Sequence, residues 1–291
     1  MKITVTGGSG FLGSHVADEL SKRGHEVTIF DKKKSKWIRP DQKMYLGDIL
    51  NVKDLENVIK GADAVFHFAA LAVIEEALKK PIETATTNIS GTVLALELSS
   101  KYKIKRFVQA STIYVNSNEG GFYRCSKKAA EDYVEEYHKI FGVNYTVLRF
   151  GSLYGERSDN TNGLTNIINR AIANDEISYV GSKAFVREYI HVLDAARASA
   201  DILKDKYKNQ HIILTGDEKI KVHDFLKILA KILKVSKKIK FLNKKYIGHY
   251  TISPNTYKPK VGKRFSFSSQ INFNKGLLKL VNSIKKHKKI Q

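Results

Sequence analysis

Thr6-Gly7-Gly8-Ser9-Gly10-Phe11-Leu12-Gly13 decides how this chain is read, because its glycines at 7, 10 and 13 stand between a β-branched run, Ile3–Thr6, and an amphipathic stretch from Phe11 to Arg23. Strand, glycine turn and helix in that order form a site for a phosphate group. Gly7 permits the tight turn, Gly10 lets the backbone approach a pyrophosphate, and Gly13 lets the helix sit close to the sheet. The first turn of the helix adds free N–H groups and a partial positive charge. A glycine triplet alone is weak evidence, so the surrounding residues carry the weight.

Outward from that turn the context is consistent. Glu26–Phe30 predicts a second strand, and Asp31 follows it. A carboxylate there accepts hydrogen bonds from both hydroxyls of an adenosine ribose and repels a 2′-phosphate, which favours NAD over NADP. The plainer reading of Asp31 is a strand-end turn residue, and Lys32–Lys34 offer charge to a 2′-phosphate instead. Gly7, Gly10, Phe11, Leu12, Gly13 and Asp31 are therefore the expected cofactor contacts. Asp48, with Ile49 beside it, follows a short third strand (Lys43–Leu46) and is placed for the adenine edge or, on the plainer reading, as the N-cap of a helix over 52–60. Ala69 and Ala70 follow a fourth strand (Ala64–Phe68), where small residues leave room for a cofactor. His67 is expected to be a packed strand residue.

The alternation continues with a long helix over 82–102, a strand over 106–110, a helix over 123–141 and a strand over 145–150. Short apolar runs separated by amphipathic stretches are the pattern of βαβ units and a parallel sheet. After Gly151 a loop rich in Gly, Ser and Asn runs to Asn162. Helices are predicted over 164–174, 194–203 and 222–234, extended segments over 187–192 and 211–214, an irregular region over 236–275 and a short helix over 275–284 before a basic tail. No internal repeat and no linker between independent domains is visible.

Length and composition bound the rest. At 291 residues with 42% hydrophobic content and four prolines, the chain buries a sizeable core. No apolar run reaches the roughly 18 to 20 residues of a membrane helix, and the N-terminus reads as a strand rather than a signal peptide. One cysteine, Cys125, excludes an internal disulfide and a cysteine-based zinc cluster. A cytoplasmic protein without metal or membrane partner is expected. The net charge of +21 admits a polyanion partner. Its lysines spread along the chain, however, and no basic run alternates with aromatics, so nucleic acid is not the expected ligand.

The candidate chemistry follows the fifth strand, in Ala110-Ser111-Thr112 and then Tyr123-Arg124-Cys125-Ser126-Lys127. Tyr123 and Lys127 are four apart on a predicted helix and share a face. A nearby ammonium is expected to lower the phenol, so that Tyr123 acts as a general base on a hydroxyl bridged by Thr112. Tyr179 and Lys183 share that interval and are given no role, so position after the strand is what singles out the first pair. Cys125 points off the Tyr–Lys face and reads as a small buried residue.

The Thr6–Gly13 turn, Asp31, Phe68-Ala69-Ala70, Asn88 within Thr87-Asn88-Ile89-Ser90-Gly91-Thr92, Ser111-Thr112 and Tyr123–Lys127 together resemble the extended short-chain dehydrogenase/reductase family. Leu148-Arg149-Phe150-Gly151-Ser152-Leu153-Tyr154-Gly155-Glu156-Arg157 and Arg187-Glu188-Tyr189-Ile190-His191-Val192-Leu193-Asp194 extend the likeness to its NAD-dependent nucleotide-sugar epimerase and dehydratase branch, over about residues 1–230. The resemblance implies a Rossmann-type, doubly wound α/β fold. Residues 1–150, rejoined by 188–215, would bind NAD, and 151–187 with 216–291 would form a smaller substrate lobe. It implies catalysis by Thr112, Tyr123 and Lys127. Substrate contacts would come from Ser111, Thr112, Tyr123, Ser152, Arg157 and Arg187, the guanidinium forks suiting a diphosphate. It also implies a homodimer through the helices over 82–102 and 123–141. Ser152 stands where the family commonly has Asn, and the region after about 235 matches nothing in it.

Within that branch, 4,6-dehydratases carry Asp-Glu after the catalytic Thr, where this chain has Ile113-Tyr114. Decarboxylases usually carry a Glu in this region, and reductases prefer NADPH. The expectation is a nucleotide-sugar 4-epimerase acting through a transient 4-keto sugar, with a 4-dehydrogenase second. A dinucleotide sensor or RNA-binding protein on the same fold is the alternative of another class.

Overall fold

A computed structural model describes residues 1–216, 219–234, 239–242 and 249. In chain order the elements are β1 (Lys2–Thr6), α1 (Phe11–Lys22), β2 (Glu26–Asp31), β3 (Gln42–Leu46), α2 (Val52–Ile59), β4 (Ala64–His67), α3 (Ile74–Lys79), α4 (Pro81–Ala85), α5 (Gly91–Lys101), β5 (Arg106–Thr112), α6 (Gly121–Phe141) and β6 (Tyr145–Phe150). Then come β7 (Ser152–Tyr154), α7 (Gly163–Asn174), β8 (Ser178–Val180), β9 (Val186–His191), α8 (Val192–Asp201), β10 (Gln210–Leu214), β11 (Lys219–Lys221), α9 (Val222–Leu233) and β12 (Lys240–Leu242).

Seven strands form one sheet in the order β10-β6-β5-β4-β1-β2-β3, every neighbour parallel. Strand alternation sends successive side chains to opposite faces. Val65, Phe107 and Val147 join Leu55, Leu96 and Val134 of α2, α5 and α6 on one face. Phe66, Val108 and Leu148 join Val16, Leu20, Ala195 and Ala196 of α1 and α8 on the other. Both faces are thus covered by helices, as a parallel sheet of near-continuous apolar strands requires. The fold is the doubly wound Rossmann-like α/β architecture. Because all seven strands point the same way, the loops after β1, β4 and β5 open on one edge, where such sheets bind ligands.

Beyond Phe150 the chain builds a second core from Ala171, Ile177, Tyr179, Val222, Phe225, Leu226 and Leu229, beside the small sheet β11-β9-β7 and the pair β12-β8. The strands β7, β8, β11 and β12 were not anticipated: at three residues each, none shows a usable period. The expected helix over 82–102 is interrupted. Thr86–Ser90 forms a π-helical turn between α4 and α5, and α3 precedes Pro81 as a separate helix. The expected helix over 275–284, the basic tail and most of the irregular region before them lie outside the described residues. No described helix is long and apolar enough to cross a membrane.

Candidate active site

The glycine turn is built by close backbone approach. Gly7 has φ +71°, and a Cβ on it would stand 2.6 Å from the Ala69 nitrogen. A Cβ on Gly13 would stand 2.2 Å from the Gly7 carbonyl oxygen. Gly13 therefore lets α1 close onto the turn itself, a tighter constraint than proximity to the sheet. At Gly10 a Cβ would meet only the Gly7 oxygen, at 3.2 Å, and no side chain caps α1. The first-turn amides of Phe11, Leu12 and Gly13 are left for a ligand.

Asp31 stands beside this turn. Its Oδ2 accepts from the Ser9 amide at 3.0 Å and its Oδ1 from the Lys33 amide at 3.1 Å, which leaves lone pairs on both oxygens for ribose hydroxyls. Lys32 pairs with Asp48 at 3.0 Å, so the cation that could favour a 2′-phosphate has a carboxylate partner. Asp48 also accepts the Leu50 amide. It is not the N-cap of α2, a role taken by Asn51. Ile49 is buried, its methyl group where a Cβ of Gly91 would lie, so it packs under the crevice wall. Ala69 donates its amide to the Thr6 hydroxyl at 3.3 Å, and Ala70 follows in the same loop. Uncapped amides, a turn with no room for side chains and a carboxylate at the end of β2 fit a dinucleotide with a free ribose.

His67, at the end of β4, is fully buried, stacked on Phe107 and bonded to the Thr6 hydroxyl through Nδ1. Burial and the nearby Lys127 charge hold its imidazole down at about 3, so it is neutral.

Thr112 ends β5. Its hydroxyl accepts the Tyr114 amide at 3.3 Å and stands near enough to the Tyr123 phenol to favour its ionised form. Gly120 and Gly121, with φ +94° and +52°, turn the chain into α6, two residues before the expected start. Lys127 is buried, and its Nζ donates to the Ala110 carbonyl at 2.9 Å and lies 6.0 Å from the Tyr123 ring centre. Burial pushes the phenol up to about 12, opposed by Thr112, and draws the ammonium down to about 8, opposed by Glu131. This corrects the expectation that Lys127 lowers the phenol: without a ligand, desolvation prevails. Cys125 is exposed rather than buried, since it lies two residues, about 200°, round the helix from Tyr123.

Other expected contacts are committed elsewhere. Ser111 faces away from Thr112 because strand neighbours alternate, and its hydroxyl donates to Glu131. Arg157, at φ +66°, pairs with Asp18 of α1 at 2.7 Å and lies over the Trp37 ring. The structure does not bring it to Tyr123. Arg187 is buried in the second core, within 3.3 Å of the Tyr179 hydroxyl and over the Phe185 ring. Ser152 sits in β7 opposite Tyr189. A hollow of about 360 Å³ beside it, lined by Tyr154, Tyr189, His191 and Thr215 among others, includes neither the glycine turn nor Tyr123.

Two positioning residues emerge that had been given no role. Glu131 is fully buried, takes two hydrogen bonds from Arg149 and stands one turn beyond Lys127. Asn88, in the π turn, bonds both the amide and the carbonyl of Leu71 and donates to Ser126, tying the loop after β4 to α6. The interval 123–127–131 was the available signal for Glu131.

A sequence profile of the NAD dependent epimerase/dehydratase family matches residues 3–215. The UDP-glucose 4-epimerase of Lactobacillus helveticus is 28% identical over 242 residues, covering 72% of this chain and 73% of its own. The UDP-N-acetyl-alpha-D-glucosaminuronate decarboxylase of Bacillus cytotoxicus is 27% identical over 261 residues, 81% of each chain. The crystal structure of UDP-glucuronic acid 4-epimerase from Bacillus cereus, in complex with UDP-glucuronic acid and NAD, superposes with a TM-score of 0.79 at 25% identity, covering 87% of this chain and 89% of that one.

Proposed function

This chain belongs to the NAD-dependent epimerase/dehydratase family, and from that premise we propose that it is a nucleotide-sugar 4-epimerase. Its cofactor is NAD. The observation that carries the reading is the group Thr112, Tyr123 and Lys127 at the carboxyl end of β5, two strands from the glycine turn. When bound, NAD accepts and returns the hydride of the sugar C4–H and carries a positive charge that its reduced form lacks. Gly7, Gly10 and Gly13 keep the turn open for the pyrophosphate while the Phe11 and Leu12 amides hold it, and Asp31 takes the ribose hydroxyls. Thr112 holds the sugar hydroxyl against Tyr123, whose phenol, once ionised beside Lys127 and the bound cofactor's positive charge with its own proton lost to solvent, accepts the sugar proton as the ketone forms and returns it at the end. Lys127 keeps a positive charge under the phenol, anchored by the Ala110 carbonyl.

The substrate diphosphate is assigned to the lobe, with Ser152 and Arg187 as its contacts and residues 151–187 and 216–291 as the lobe itself; residues 1–150 with 188–215 form the cofactor domain. Exposed Tyr133, Ile140 and Phe141 along α6 support pairing of two copies through α5 and α6.

The test is direct. Purified protein incubated with UDP-glucose, UDP-N-acetylglucosamine or UDP-glucuronic acid should carry bound NAD and give the 4-epimer, read by proton NMR. Absence of turnover on every nucleotide sugar would defeat the reading. So would NAD affinity unchanged in Asp31→Ala.

A further inference from the structure

Immediately after Thr112 the chain carries a second set of proton-transfer groups. Tyr114 lies in the short 3-10 turn over Ile113–Asn116 that follows β5. Its hydroxyl is 3.0 Å from His249 Nδ1. The other ring nitrogen, Nε2, is 3.0 Å from Glu75 Oε1 in the first turn of α3. The order of protons follows from donor chemistry. An ionised carboxylate only accepts, so His249 Nε2 carries the hydrogen toward Glu75, and with that one proton on the ring Nδ1 accepts from the Tyr114 hydroxyl. The bond to His249 also holds the Glu75 carboxyl below its ordinary range. Phenol, imidazole and carboxylate thus form a chain in which a base within hydrogen-bond reach is oriented by a third group, the arrangement that activates a weak hydroxyl.

Position gives this chain its meaning. The Tyr114 amide is bonded to Thr112, and the Tyr114 ring lies against Gly120, at the entry to α6, where a Cβ would be 3.0 Å from Cδ1. Glu75 comes from the helix that follows the Ala69–Ala70 loop. The three residues therefore join the outlets of β4 and β5, the edge that also presents Tyr123. One tyrosine suffices to take a proton from a hydroxyl. A second activated phenol, in the turn that follows the same strand, has work only if another proton must move.

We infer that Tyr114, His249 and Glu75 remove and return a proton at a sugar carbon flanking the one oxidised with Tyr123. The inference rests on the reading above, because only a ketone makes the neighbouring C–H acidic enough. The Tyr114 proton passes to His249 Nδ1, and Glu75 balances the imidazolium. The Tyr114 oxygen then takes the proton from the flanking carbon. The C–H electron pair becomes the C=C bond of the enolate, and the carbonyl π pair moves to oxygen. Return of the proton reverses each movement, so no oxidant, reductant or co-reactant is consumed. The activity is reversible enolisation of a keto-sugar nucleotide.

Hydride shuttling at C4 returns the same hydrogen and brings none from solvent, whereas enolisation exchanges a carbon-bound hydrogen. The NAD-loaded protein is incubated in D2O with UDP-glucose, UDP-N-acetylglucosamine or UDP-glucuronic acid, and deuterium at C3 and C5 is read by NMR and mass. The expected result is deuterium at one of these carbons, with the ratio of exchange to epimerisation falling at least tenfold in Tyr114→Phe and in the surface variant Glu75→Gln. Nitrogen-15 NMR of the free protein should show His249 protonated on Nε2, a preference that Glu75→Gln weakens. Epimerisation without carbon-bound deuterium overturns the inference and leaves the epimerase reading standing. Exchange that keeps its ratio in both variants overturns the assignment to these residues, and absence of turnover overturns both.

Discussion

The first turns of α6 carry Tyr123 and Lys127, both drawn away from their ordinary ionisation by burial; the next turn carries Glu131, equally buried, but met by Ser111, Arg149 at 2.7 Å and His211 at 3.8 Å. The two halves of one helix face thus treat charge in opposite ways. Where partners surround a buried group, the hydrogen bonds and ion pairs they make serve structure. Where partners are sparse, desolvation moves the group toward neutrality, and a bound ligand decides its state. Shifted ionisation in a cleft is a mark of a site prepared for proton transfer.

The comparison can be broken most severely at the phenol. Tyr123→Phe should lower kcat about a thousandfold, roughly 4 kcal/mol, with an unchanged melting temperature; wild-type turnover in that variant would erase the distinction between the halves. Glu131→Ala should do the reverse and act first on stability. Leaving Arg149 without its carboxylate should cost about 3 kcal/mol in urea denaturation.

Lys127 sharpens the contrast through pH. Its folded-state value, about 8, lies below the ordinary 10.5, so the unfolded chain binds that proton more tightly. The resulting penalty is fully present below pH 8 and fades as pH rises toward 10.5. Relative to wild type, Lys127→Met should be more stable at pH 7 than at pH 10 by about 2 kcal/mol, measured as the difference between two denaturation curves. The smallest expected effects separate two adjacent residues of β5. Thr112→Ala should slow turnover about tenfold and leave stability nearly unaltered, whereas Ser111→Ala should lower stability by about 1 kcal/mol with turnover intact.

The turn at Gly7–Gly13 was legible because its constraint is steric and shows in the glycine spacing itself: the Gly7 backbone is approached too closely by Ala69, and that of Gly13 by Gly7, for a side chain to fit. The parallel sheet was legible for a related reason, since strands covered on both faces read as apolar runs. The Tyr123–Lys127 interval was informative only with its helix. The equally spaced Tyr179 lies on β8, where it packs into the second core. The bond from Ser111 to Glu131 was missed, although neighbouring hydroxyls on a strand face opposite sides. The pairing of Arg157 was not legible because Asp18, its partner, is 139 positions away. Three-residue strands and the widened turn at Thr86–Ser90 depend on tertiary partners and leave almost no periodic trace.

That widened turn makes one stretch of helix unusually intolerant of insertions and deletions. Each residue of an α-helix advances the winding by about 100°. Removing one residue from Thr86–Ser90 would let α4 and α5 run on as one regular helix, a local gain, and would put α3, α4 and the Leu71 loop out of phase with α6. Asn88 would then lose either Leu71 or Ser126. Length changes are usually best tolerated in loops and are judged by exposure; here the most sensitive point for a frame-preserving deletion falls inside a helix, at the residue that clamps the crevice wall.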